Sequence, residues 1–234
     1  MKKRSRSSRK ESVLSTNYYG EYHGHLNEHN EVVFQHLNEL RFSGHFQGLV
    51  YLAGDSSLDN KYWFRDSAEA CNGYENVLKP AISIKDISYW LNKEQSERPL
   101  DTDERYGIIN CSIEESTVGA RACGSLLPQD NFIKDHITKD DILIVSVGGN
   151  DIALKPSPCT ALSLFSLINC TPTIFIDYAF GTSIPIDEYF SGFSTSFLSN
   201  FTAFPFGLGY FIHLFKIRIK NYIKNLITNK EIRK

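Results

Sequence analysis

Short, unbroken apolar runs that stop abruptly set the pattern of this chain. Val50-Tyr51-Leu52-Ala53 halts at Gly54-Asp55-Ser56-Ser57, and Ile142-Leu143-Ile144-Val145 runs through Ser146 and Val147 into Gly148-Gly149-Asn150-Asp151. Runs of this length suit strands covered on both faces, as in parallel sheets. Tyr106 to Cys111 predicts a third. Between the strands the apolar positions recur at helical spacing. Glu31 to Arg41 places Val33, Phe34, Leu37 and Leu40 on one side. Tyr62 to Leu78 reads as a helix interrupted near Gly73 and closed by Pro80, and a shorter one follows from Asp86 to Asn92. Ser112-Ile113-Glu114-Glu115 has the form of a capping box that opens another helix, and Asp130 to His136 is a short helical piece. Gly209 to Ile227 is strongly amphipathic, with Ile212, Phe215, Ile219, Tyr222, Ile223 and Leu226 on one face and Lys216, Lys220 and Lys224 on another. Strands alternating with helices imply right-handed βαβ units: an α/β fold with a mostly parallel sheet and helices on both of its sides.

The ends and the uncharged stretches refine this picture. Residues 1–16 carry Lys2, Lys3, Arg4, Arg6, Arg9 and Lys10 among serines with no apolar core, which predicts a disordered basic tail and no secretory signal. Residues 17–234 form a single expected domain, and the missing signal points to the cytoplasm. Pro156 to Ile176 and Tyr189 to Phe215 contain no Asp, Glu, Lys or Arg. Pro, Ser, Thr and Asn interrupt both, so a hydrophobic lid or partner-facing loop is expected rather than a transmembrane span. Peripheral membrane contact through these stretches and the basic last helix stays open.

Composition excludes little more. Hydrophobic residues at 41%, charged residues at 22% and a net charge of -2 describe a globular protein with no global attraction to nucleic acid. Five widely spaced cysteines without a Cys-x-x-Cys pair predict neither a zinc site nor a disulfide framework. His23, His25, His29, His36 and His45 cluster along the chain, yet no acid or thiol stands at a metal-ligand spacing, and no metal or cofactor is expected.

The chemistry lies at the strand ends. Open parallel sheets bind ligands beyond the carboxyl ends of their strands. Ser56 is there, a candidate nucleophile, although Gly-Asp-Ser also makes an ordinary turn in which Asp and Ser bond the local backbone. Gly119 falls inside an expected helix, where glycine costs about 1 kcal/mol relative to alanine, so it marks a break, a tight contact or a meeting of ligand with backbone; a plain loop glycine explains it equally well.

Taken together, Gly54-Asp55-Ser56, Gly119 and Gly149-Asn150-Asp151 resemble blocks I, II and III of the SGNH, or GDSL, hydrolase superfamily, in the correct order. Leu52 to Trp63 and Val147 to Leu154 look like a protist and algal branch of it, and the resemblance covers roughly Gln47 to Leu154. It implies a flavodoxin-like three-layer α/β/α sandwich that hydrolyses esters of lipids, acylated sugars or thioesters without a cofactor. It further implies Ser56 as nucleophile and an oxyanion hole from Ser56, Gly119 and the Asn150 side chain. Asp55 would hold the turn, Gly54, Gly148 and Gly149 would allow close approach, and Asp151 completes the third block. The family's Asp-x-x-His block is absent, which leaves the catalytic histidine unknown. His213, the one histidine after Asp151, lies inside the amphipathic helix, where packing explains it. The chain is therefore read as a hydrolase lacking its C-terminal block, with a catalytically impaired binding protein as the alternative. The expected partner is a small-molecule ester or an acylated glycan or lipid.

Overall fold

The computed structural model describes residues 11–99, 105–177, 182–183 and 203–227. Among them the fold centres on three parallel strands, β1 (Gly48–Gly54), β2 (Tyr106–Asn110) and β3 (Ile142–Ser146), in the order β2-β1-β3. Tyr51 pairs with Ile109 on one side and Leu143 on the other, so the first strand in the chain lies at the centre. Beside short helical turns at Ser15–Tyr18, Tyr74–Val77 and Thr173–Asp177, the helices that frame the sheet and its ends are α1 (Asn27–Phe42), α2 (Ile87–Glu97), α3 (Pro128–His136), the single turn α4 (Gly149–Ile152), α5 (Pro158–Cys170), α6 (Leu208–Ile212) and α7 (Ile219–Ile227). A π-helical segment, His213–Arg218, joins α6 to α7. The molecule is a mixed α/β protein whose central sheet is parallel.

All seven residues of β1 are buried, which accounts for its unbroken apolar run. Alternate side chains feed two cores. Leu49, Tyr51 and Ala53 face Val33 and Leu37 of α1, Ile133 of α3, and Tyr222 and Leu226 of α7. Val50 and Leu52 face the other way, with Ile108, toward Ile87 and Leu91 of α2. Helices thus pack on both sides of β1 and β2. On β3 the second side is open: Ile142 and Ile144, level with Val50 and Leu52, are exposed.

Helix starts follow local chemistry. Asp86 Oδ1 accepts the Tyr89 N–H at 2.8 Å to open α2, and Ser157 accepts the Thr160 N–H at 3.1 Å to open α5. At α3, Pro128 takes the first turn while Asp130 reaches back to the Leu127 N–H at 3.0 Å.

Four expectations change. Tyr62 to Leu78 is not one helix: a 3-10 turn (Lys61–Trp63), a strand (Ser67–Glu69) paired antiparallel with Ile82–Ile84, and one helical turn (Tyr74–Val77) replace it. Asn72 and Gly73 have φ of 57° and 98°, which no right-handed helix accommodates. The Asn72 amide is held there by Asn92 Oδ1 and the Tyr106 carbonyl, partners distant in sequence. The capping-box segment opens no helix either, because the Ser112 N–H goes to Asn110, the Glu114 N–H goes to Asp59, and Glu115 has a φ of 59°. The uncharged stretch from Pro156 contains α5 rather than only a loop. At the N-terminus the fold begins before residue 17, since Val13–Leu14 pair in parallel with Leu78–Lys79 and Val13 is buried. Residues 1–10 and 189–202 lie outside the described residues.

Candidate functional site

The chain leaves β1 through a turn that Asp55 builds. Its N–H continues the ladder to the Ser146 carbonyl at 3.1 Å, its Oδ1 accepts the Ser57 N–H at 3.0 Å, and its own carbonyl accepts from Leu58 and Asp59. Position 54 must be glycine, because a Cβ there would strike the Ser146 backbone. Ser57 is tied by its hydroxyl to Ser146 Oγ at 2.7 Å. Ser56 sits half-buried at the corner, and no hydrogen bond from the described residues engages its side chain.

Two further loops reach the same strand end. The Gly54 carbonyl accepts the Ile113 N–H at 3.0 Å, the Ser116 hydroxyl at 3.0 Å and Arg121 Nη2 at 3.2 Å, which fastens the loop after β2 beneath the Ser56 turn. The loop after β3 then fastens to that one. Asn150 Nδ2 donates to the Ser116 carbonyl at 2.9 Å, and the Asp151 carboxylate accepts the N–H groups of Val118 and Gly119 at 2.7 and 2.8 Å. Asn150 and Asp151 are both buried. Gly148 turns this loop at a φ of 107°, with the Phe215 ring directly over it, whereas Gly149 has open space beside it. The segments carrying Ser56, Gly119 and Asn150 are thus brought together at the carboxyl end of the sheet. In this arrangement the Gly119 N–H is committed to Asp151.

Much of the support is invisible in local sequence. Arg121 and Asp130 form an ion pair at 2.8 Å with neither side chain exposed to solvent. Tyr222 donates to Asp130 Oδ1 at 2.7 Å and lies under the Arg121 guanidinium at 4.9 Å. Asp59 is a second buried carboxylate, satisfied by the Gly24 and Glu114 N–H groups at 2.7 Å each and by Lys61. These partners offset a desolvation cost of several kcal/mol per buried ion. Asp59 thereby draws the His23 segment to this end of the sheet, where His23 Nδ1 meets the Glu114 carbonyl at 3.2 Å.

The histidines have structural settings. His25 stacks on Tyr18 with ring centroids 4.1 Å apart and shares a hydrogen bond with the Tyr18 carbonyl; burial, with Lys61 adding to it, pushes its pKa down to about 3. His213 is buried in the π-helical segment, and no hydrogen bond among the described residues joins it or any other histidine to Ser56. Among the described residues no three His, Cys, Asp or Glu side chains gather where they could hold a metal ion. A cleft of about 460 Å³ lies at the opposite end of the sheet, beside Phe46 and Arg105. Arg105 is spanned there between the Gln95 carbonyl and Asn72, so the cleft is remote from the Ser56 turn.

Comparison of the chain with protein-family models, with curated proteins and with solved structures found no match.

Proposed function

We propose that this chain is built as an SGNH-type ester hydrolase, a three-layer α/β/α sandwich in which Ser56 is the nucleophile. Ser56 Oγ would bond to the acyl carbonyl carbon while its proton passes to a base, and the carbonyl electron pair would move onto oxygen. That oxyanion would be met by the Ser56 N–H, the Gly119 N–H and the Asn150 amide. Its collapse would expel the alcohol, which takes up a proton, and water would then hydrolyse the acyl-enzyme. Neutral donors of this kind contribute about 3 kcal/mol each. Asn150 Nδ2 retains a second hydrogen beyond the one given to Ser116, while Gly119 donates only after Asp151 releases it.

The observation that carries this reading is the binding of three separate loops to one another around a serine whose hydroxyl has no partner among the described residues. A fluorophosphonate probe tests it. Labelling that disappears in Ser56→Ala supports the assignment, and labelling that persists removes Ser56 from the role.

A second reading, an acyl- or glycan-binding protein that keeps the pocket without turnover, is favoured by a specific observation: no histidine among the described residues hydrogen-bonds Ser56. Loss of the base from such a constellation lowers the rate by several orders of magnitude. Binding of a short-chain acyl ester that raises Tm without release of the alcohol would select this reading.

A further inference from the structure

Helix α5 is amphipathic in the wrong sense for a protein surrounded by water. Its buried residues are Cys159 and a hydroxyl stripe of Thr160, Ser163 and Ser166, spaced three residues apart, while Leu162, Phe165 and Ile168, at the same spacing, are 45%, 60% and 72% exposed. The buried hydroxyl stripe packs against the start of α6. Thr160 Oγ1 lies 2.6 Å and Ser157 Oγ 3.1 Å from the Tyr210 hydroxyl, and a Cβ on Gly207 would meet the Ser163 carbonyl at 2.5 Å. Small and hydroxyl residues inside with large apolar residues outside is how helices pack in lipid, where close backbone approach and interhelical hydrogen bonds replace hydrophobic burial.

Three further features point to the same surroundings. No charged side chain occurs from Pro156 to Ile176, and Ile174 is exposed as well. The continuous helix beside it, Leu208 to Ile227, carries Lys216, Arg218, Lys220 and Lys224 and no acid. The Ser56 end of the sheet is also edged by exposed Tyr62 and Trp63, aromatic types that favour the level of lipid headgroups. Those rings connect to α5 through Tyr22, Glu115 and Lys155: Tyr62 packs on Tyr22 at 4.9 Å, Tyr22 bonds Glu115 at 3.3 Å, and Glu115 pairs with Lys155 at 3.0 Å, just ahead of the helix.

We propose that the apolar face of α5 seats in the surface of an anionic lipid bilayer, with the exposed Lys216, Lys220 and Lys224 against the headgroups. At 13 residues α5 is too short to cross the roughly 30 Å of hydrocarbon, so it lies in the interface plane. No helix among the described residues is long and apolar enough to cross a membrane. α4, which carries Asn150, contacts α5, so docking brings the Ser56 turn to the lipid surface.

Co-sedimentation with vesicles of phosphatidylcholine alone or mixed with phosphatidylserine tests this. The full chain should pellet with the mixed vesicles, and Phe165→Glu/Ile168→Glu, whose side chains are exposed so that circular dichroism should show the fold kept, should bind about tenfold more weakly or worse. Lys216→Glu/Lys220→Glu should reduce binding to the anionic vesicles, as should high salt. Ser56→Ala should bind as the parent does, which separates membrane docking from the proposed hydrolysis. A chain that stays in the supernatant with both vesicle types, or a Phe165→Glu/Ile168→Glu variant that pellets normally, overturns the proposal. So does a dimer, seen by light scattering without lipid, that this same variant dissolves, since the face then belongs to a second copy.

Discussion

Gly119 gives its backbone N–H to the Asp151 carboxylate at 2.8 Å, and through that bond the loop after β3 holds the loop after β2 in place. The other carboxylate oxygen takes the Val118 N–H, so Asp151 closes both ends of one short backbone segment. Hydrogen bonds to a buried charged acceptor are worth about 1.5 to 3 kcal/mol each. Asp151→Ala should therefore lower the unfolding free energy by about 3 kcal/mol or more, with Asp151→Asn losing roughly half as much because its amide retains one acceptor. Urea denaturation of the two variants checks the order. Equal losses would show that the carboxylate's charge and second oxygen contribute nothing.

The Arg121–Asp130 pair makes a different prediction. Arg121→Ala leaves the Asp130 carboxylate in a dry interior with only the Tyr222 hydroxyl and the Leu127 N–H as donors, and should cost about 3 to 5 kcal/mol. Replacing both, as Arg121→Met/Asp130→Asn, should recover part of that loss, because no unpaired charge remains. A double variant less stable than Arg121→Ala by thermal or urea unfolding would count against the account.

Adjacent glycines should differ sharply. At Gly148 a side chain meets the Phe215 ring at 2.7 Å and the φ of 107° strains any L-residue, so Gly148→Ala should destabilise by about 1 to 3 kcal/mol. Gly149→Ala has nothing within 4 Å of the new methyl and should change stability by about 0.5 kcal/mol or less. Phe215→Ala added to Gly148→Ala should relieve only the clash and leave the backbone strain.

Two buried groups give opposing pH dependences. Desolvation raises the Asp86 pKa from 3.8 to about 6, its Oδ2 being buried without a partner. The folded state then holds a proton that the unfolded state has lost. Its contribution is fully present below pH 3.8 and is lost as the pH rises through 6. His25, depressed from 6.5 to about 3, works the other way: its contribution is present above pH 6.5 and is lost as the pH falls toward 3. Between roughly pH 4 and 6 the two slopes, about 1.4 kcal/mol per pH unit each, offset one another. Asp86→Asn should expose the His25 slope, so that stability falls with acid across this window. His25→Gln should expose the opposite trend, and parallel stability curves for both variants would contradict it.

The strands were legible because burial on both faces demands an unbroken apolar run, and β1, β2 and β3 are found within a residue or two of the expected spans. The helix start near Asp86 and the amphipathic pattern of the last helix were legible because they too depend on residues a few positions apart. Tyr62 to Leu78 misled because its helical spacing is local, whereas Asn72 answers to Asn92 and Tyr106 across the fold. Ser112 to Glu115 misled likewise, since the buried Asp59 takes the N–H that a helix would have used. At the candidate site, glycine, acid and hydroxyl residues at strand ends marked Ser56 and Asn150. Ser116, Arg121, Asp130 and Asp59 carry no such mark, being ordinary residue types whose roles arise from partners up to 92 positions away.

Linear order alone determined where the three central strands run, where they must turn, and that glycine, acid and hydroxyl residues gather at the ends of β1 and β3, because those properties depend on neighbours a few residues apart. Only the folded chain decided that the Gly119 N–H is spent on Asp151, that Asn150 spends one amide hydrogen on Ser116, and that α5 turns its hydroxyls inward. Periodicity reports that a helix has two faces. Which face meets the protein is settled by what packs against it, and at α5 that is the backbone at Gly207 and the Tyr210 hydroxyl, neither of which the local pattern contains.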